Sequence, residues 1–144
     1  MPAVTIAPGS SIPASDLPES RLDAEKLDVY AVALEFQTMA ARLVPRGHGA
    51  LRDQIERASV SIVLNIAEGA GRQSAPDKSR FYVIARGSAT ESAAVVDILL
   101  ARGLTDRANC RRARSLLVRI VQMLTRLVQR LSVQPSPSGQ GVEG

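Results

Sequence analysis

RASVSIVLNIAEGAGRQSAPDKSRFYVIARGSATE, residues 57–91, decides the fold, because two helical patterns meet in it around one short turn and both are dense with small residues. Before the turn, Leu51, Ile55, Ala58, Ile62 and Ile66 recur at helical spacing, while Val60, Leu64 and Ala67 form a second apolar line. A helix apolar on two faces needs cover on two sides. After the turn, Phe81, Ala85, Ser88, Ser92, Val95 and Leu99 follow a heptad-like stripe whose small side chains admit a neighbouring backbone. This pattern points to tight helix packing and assembly, and away from a catalytic pocket.

Outward from the turn, the spacing predicts four helices. The first spans residues 22–44, with Leu27, Tyr30, Leu34, Thr38 and Ala41 along one face, and ends at Pro45, Gly47 and Gly49. The second spans residues 50–68 and stops at Gly69 and Gly71. Ser74 is the expected N-cap of the third, with Pro76 in its first turn and Asp77 near its positive end, and this helix lasts to Gly103. Thr105 or Asp106 caps the fourth, whose apolar stripe is Ala113, Leu116, Leu117, Ile120, Leu124, Leu127, Val128 and Leu131. Short connections between long amphipathic helices make antiparallel neighbours, so the expected fold is all-α, an up-down-up-down four-helix bundle. Its expected bounds are 21–132. Residues 1–20, rich in Pro and Ser, and residues 133–144 read as flexible tails.

Composition narrows the function classes. The 144 residues suit one domain with a modest core, built from Ala, Val, Leu and Ile with no Trp, two Phe and two Tyr. The one cysteine, Cys110, forms no internal disulfide, and no run approaches the roughly 18 apolar residues of a membrane span. With no export signal in the sequence either, a cytoplasmic protein without a membrane partner is expected. The net charge of +4 hides an asymmetry: Asp16, Glu19, Asp23, Glu25 and Asp28 gather near the N-terminus, whereas Arg102, Arg107, Arg111, Arg112, Arg114, Arg119, Arg126 and Arg130 face only Asp106.

The runs SIVLNIAEGAGRQS and FYVIARGSATE resemble the signature of the proteins encoded in bacterial 23S rRNA intervening sequences, a Ser-Ile, Asn-Ile-Ala-Glu-Gly, Gly-Arg-x-Ser run followed by Phe and an Ala-x-Gly-Ser segment closing on Glu. The resemblance implies an antiparallel four-helix bundle assembled as a ring-like homopentamer. At greater distance the chain is similar to the accessory variability determinant of diversity-generating retroelements, which implies RNA and a reverse transcriptase as partners.

Two constellations carry the functional reading. Arg57, Ser61, Asn65, Glu68 and Arg72 lie three or four residues apart and form one polar stripe on the second helix, where Arg57, Arg72 or Arg86 can neutralise Glu68 or Glu91. This reads as a structural network fixing packing or subunit register, with a ligand contact as the alternative. On the fourth helix, Arg112, Arg119, Arg126 and Arg130 project in nearly one direction, and Arg107, Arg111 and Arg114 occupy a second flank. Either this is a solvated face or it is a phosphate-binding surface multiplied by oligomer symmetry, with salt-dependent binding and no base-specific readout.

Enzymatic chemistry finds no footing. Gly69-Ala70-Gly71-Arg72 lacks the Lys-Ser of a phosphate loop and follows a helix, so it reads as a helix stop. His48 is the only histidine and reads as an exposed loop residue, which leaves no triad or multi-histidine metal site within one chain. Cys110 reads as a plain thiol whose pKa the nearby arginines could lower. No cofactor is expected. The sequence favours a non-enzymatic, RNA-associated homo-oligomer; the alternative is a protein-interaction scaffold in which the arginines only keep the assembly dissolved.

Overall fold

The computed structural model describes residues 22–133; the predicted tails, apart from Val133, lie outside the described residues. Within them the chain is helical, with α1 at Asp28–Ala40, α2 at Gly49–Gly71, α3 at Ala75–Ala101 and α4 at Arg107–Ser132. Short 3-10 turns, Asp23–Lys26 and Ala41–Leu43, flank α1. No strand occurs among the described residues. Each helix packs on its two sequence neighbours and α1 closes on α4, so α2 and α4 stand diagonally across the bundle. Cross-helix pairs run in opposite senses: Ser61 meets Ser88 while Gly69 meets Tyr82, and Asp97 meets Arg114 while Arg86 meets Thr125. The order is therefore up-down-up-down, as predicted.

Local chemistry accounts for the helix ends. Ser74 Oγ accepts the Asp77 N–H at 3.2 Å, and Asp106 Oδ1 accepts the Asn109 N–H at 2.7 Å, each satisfying a donor the helix itself leaves open. Asp106 rather than Thr105 is thus the cap of α4. At the end of α3, Gly103 takes φ +67°, which lets the Leu104 N–H reach the Leu99 carbonyl at 2.9 Å and its own N–H reach Leu100 at 3.0 Å, the double bond of a Schellman ending.

The core is aliphatic apart from two buried aromatics, Phe36 and Tyr82. Phe36, Ile55, Ile62, Ile66, Leu99, Leu117, Ile120 and Leu124 are fully buried, each contributing roughly 1.5–3 kcal/mol by transfer from water. The predicted stripes of α2, α3 and α4 face this core, with Phe81 and the last turns of α4 half-buried. For α1 the predicted face is wrong. Val29, Val32, Ala33, Phe36 and Ala40 point inward, whereas Leu34 and Thr38 are exposed and Leu27, Tyr30 and Ala41 only half-buried. The segment is apolar around most of its circumference, and the fully buried Phe36 marks the face that turns inward. The predicted first helix is also shortened at both ends by those 3-10 turns.

Candidate functional site

The outer face of α4 is built by segregation: apart from Ala108 and Val118 its apolar residues are buried or half-buried, its cations point outward, and the helix contains no Asp or Glu. Arg107, Arg111, Arg112, Arg114, Arg119, Arg126 and Arg130 are all exposed. Two of them have counter-ions. Arg112 Nη2 stands 3.4 Å from Glu35 Oε1 of α1, and Arg114 Nη1 stands 3.1 Å from Asp97 Oδ1 of α3. Both pairs are more than half exposed on the arginine side, so each contributes little to stability. Among the described side chains, no carboxylate comes within ion-pair distance of Arg107, Arg111, Arg119, Arg126 or Arg130.

The arginines line a seam. Arg126 and Arg130 border an open hollow with Leu27, Asp28 and Met123, and Arg112 borders a second with Glu35, Asn109 and Arg42 of α1's trailing turn. Both hollows lie between α1 and α4, where the predicted single direction of Arg112, Arg126 and Arg130 takes them. Arg42 was not legible as a member of this set, because only the fold brings residue 42 beside residue 112. Arg114 goes instead to the α3 side of the helix, where Ala89, Thr90, Ala93, Leu117 and Val118 enclose an apolar hollow of about 190 Å³.

The polar stripe of α2 divides into an inner and an outer part. Inside the α2–α3 contact, Asn65 Nδ2 donates to the Ser61 carbonyl at 2.9 Å and to Ser61 Oγ at 3.1 Å, and the Ser61 and Ser88 hydroxyls are hydrogen-bonded to each other at 2.8 Å. Ser92 Oγ then donates to the Ser88 carbonyl at 2.9 Å. Outside, Arg72 pairs with Glu68 at 2.6 Å, as expected, but Glu91 accepts from Gln54, and Arg57 donates to the same Gln54 at 2.9 Å. Gln54 is the member the sequence reading lacks. Arg86 also departs from expectation, since it donates to Thr125 Oγ1 of α4 at 3.3 Å and meets no carboxylate.

The Gly-Ala-Gly-Arg segment ends α2 at Gly71, as expected, and is also a packing corner. α2 continues through Gly69, where a Cβ would sit 2.8 Å from Tyr82 Cε1 and 3.1 Å from Phe81 Cβ, so the missing side chain is what lets α3 close in. Lys78 Nζ covers the open carbonyls of α2, donating to Ala70 at 2.9 Å and Gly69 at 3.4 Å. The guanidinium groups of Arg72 and Arg80 each lie 4.8 Å from the Phe81 ring centre, on a ring that is only half-buried.

Two expectations for titratable groups change. Cys110 is buried, and burial, reinforced by Asp106, pushes its thiol pKa up, so the neighbouring arginines do not lower it. His48 is half-buried and immediately precedes α2. Among the described residues, no three His, Cys, Asp or Glu side chains gather as a metal would need, and no helix is long and apolar enough to cross a membrane.

The second apolar line of α2 remains largely uncovered by its own chain. Ile62 and Ile66 are fully buried, but Leu64 is 61% exposed, Val60 is exposed and Ala67 is half-buried. Across the α2–α3 contact, Val83 and Ile84 are exposed as well, beside the bare backbone of Gly87.

Sequence and structure comparisons agree with this architecture. The family profile for "23S rRNA-intervening sequence protein" matches residues 25–126. The fold is similar to that of a Bacteroides thetaiotaomicron protein of unknown function described as a member of the S23 ribosomal protein family, with a TM-score of 0.65 and 22% identity over 70% of this chain and 95% of that one. No curated protein matches the chain.

Proposed function

This chain belongs to the family of 23S rRNA-intervening sequence proteins, and from that premise we propose that it is a non-enzymatic RNA-binding accessory protein acting as a ring-like homo-oligomer, a pentamer, whose α4 helices present the cationic surface. The observation that carries the reading is the division of the bundle into two unlike sides. On one, Val60, Leu64 and Ile84 leave apolar surface that a neighbouring copy would cover. Diagonally across, Arg107, Arg111, Arg119, Arg126 and Arg130 stand in solvent with no carboxylate partner among the described side chains. Assembly through α2 and α3 therefore leaves α4 free, and each added copy multiplies the phosphate contacts. A reverse transcriptase, the partner implied by the resemblance to the accessory determinant, would share this RNA; co-purification from the native host tests that part.

The binding experiment is a salt titration. The protein retains RNA at low salt, and its affinity falls steeply as salt rises. Replacing Arg112, Arg119 and Arg126 by Gln reduces the slope of log affinity against log salt by about 2–3, while light scattering shows the same oligomer mass. Failure to hold RNA at low salt refutes the RNA reading, and a monomer at micromolar concentration refutes the ring.

A further inference from the structure

The outer face of α4 carries a short repeat. Arg112 is followed three residues later by Ser115, Arg119 by Gln122 and Arg126 by Gln129, and the three pairs are spaced seven residues apart. Residues three apart stand side by side on a helix, and seven residues advance it about 10.5 Å while turning it nearly back to the same direction. The result is two parallel rows, each about 21 Å long and together covering about 25 Å from Arg112 to Gln129, one of guanidinium groups and one of neutral side chains that both donate and accept. All six residues are exposed. Among the described residues, the side chains of Ser115, Gln122 and Gln129 make no hydrogen bond, and only Arg112 has a counter-ion, in the exposed pair with Glu35. α4 contains no carboxylate to repel a polyanion and no aromatic ring on which an unpaired base could stack.

From this pairing we propose that α4 recognises double-stranded RNA, laid along its two rows, with the arginines on phosphates and Ser115, Gln122 and Gln129 on ribose 2′-hydroxyl groups. This rests on the reading of α4 as the RNA surface and goes beyond it by naming the form of the ligand. An A-form duplex exposes its 2′-hydroxyls in a wide, shallow minor groove bordered by phosphates, where a straight helix reaches both without entering the bases. A DNA duplex offers the phosphates alone. A single strand offers both groups, but its bases find no aromatic ring to stack on, and it must be ordered on binding.

The test uses the full chain and three labelled probes of one sequence, an RNA hairpin stem, the corresponding DNA duplex and the unpaired RNA strand, in fluorescence anisotropy at fixed salt. The RNA stem binds about tenfold more tightly than either other probe. Ser115→Ala, Gln122→Ala and Gln129→Ala combined lower its affinity about tenfold, to the DNA level, without altering the salt slope or the melting temperature of the protein. These positions are exposed, so folding survives the change. Equal binding of the DNA duplex or of the single strand overturns the proposal and leaves the wider RNA reading standing, as does a triple variant that keeps the preference. Absence of binding to every probe at low salt overturns both.

Discussion

The ring of Tyr82 occupies the space that a side chain at Gly69 would need, with Cε1 placed 2.8 Å from the position of a Cβ. In an isolated helix, Gly→Ala is favourable by up to about 1 kcal/mol. Here the opposing contacts include Phe81 Cβ, which moves only with the α3 backbone. Gly69→Ala therefore destabilises the protein by about 1–3 kcal/mol, measured as a lowered midpoint in chemical denaturation. Gly87→Ala is the control: no atom lies within 4 Å of its Cβ, so the same exchange in α3 raises the midpoint.

Ser61 and Ser88 behave as a unit. Ser61→Ala and Ser88→Ala each cost about 1 kcal/mol, since each strands a polar partner at a contact that is only partly open to water. The double variant costs less than the sum. A double-mutant cycle giving simple additivity would mean that the hydroxyl pair is not coupled.

Leu64→Arg separates folding from assembly. The side chain is 61% exposed, so the charge enters solvent and the melting temperature of the dilute protein changes little. In the proposed ring the same charge falls at the copy-to-copy contact, and light scattering then reports a smaller particle. A particle of unchanged mass would place the contact elsewhere.

Stability depends on the protonation of Cys110. Its pKa is raised in the fold, so the folded chain holds the proton more tightly than the unfolded one. That contribution is complete below the unfolded thiol pKa of about 8.5 and is lost as pH climbs through the folded value. Denaturation midpoints thus decline above about pH 8.5, and Cys110→Ala removes this part of the decline. Tyr82, raised chiefly by burial and secondarily by Asp23, adds a further loss above about pH 10, which the variant retains.

Legibility in the sequence followed the physics of each element. α4 was readable almost residue by residue, because its cations and aliphatics are segregated, Val118 being the one large aliphatic left exposed, and Asp106 marks its start. α3 announced itself through Ser74, Pro76 and Asp77. α1 misled, since a segment apolar on most sides carries no strong period and the depth of the site at Phe36 decides its orientation. Gly69 was legible only in part, since α2 does end two residues later. A glycine near a helix end ordinarily signals termination, and only the aromatic pair Phe81-Tyr82, brought back by the turn, shows that it serves close approach. The α4 arginines could be placed on two flanks from spacing alone, whereas Arg42 and Gln54 joined their clusters through contacts between helices that no periodicity encodes.

The corner between α2 and α3 has a bearing on how the chain reaches its native state. Ser74 caps its own helix, Lys78 clasps carbonyls eight and nine positions back, and Tyr82 meets Gly69 thirteen positions back. Closing so short a loop costs little entropy, and such nearby partners find one another early. The central hairpin is accordingly the natural nucleus, onto which the first and last helices condense, and substitutions at the corner should slow folding more than they hasten unfolding.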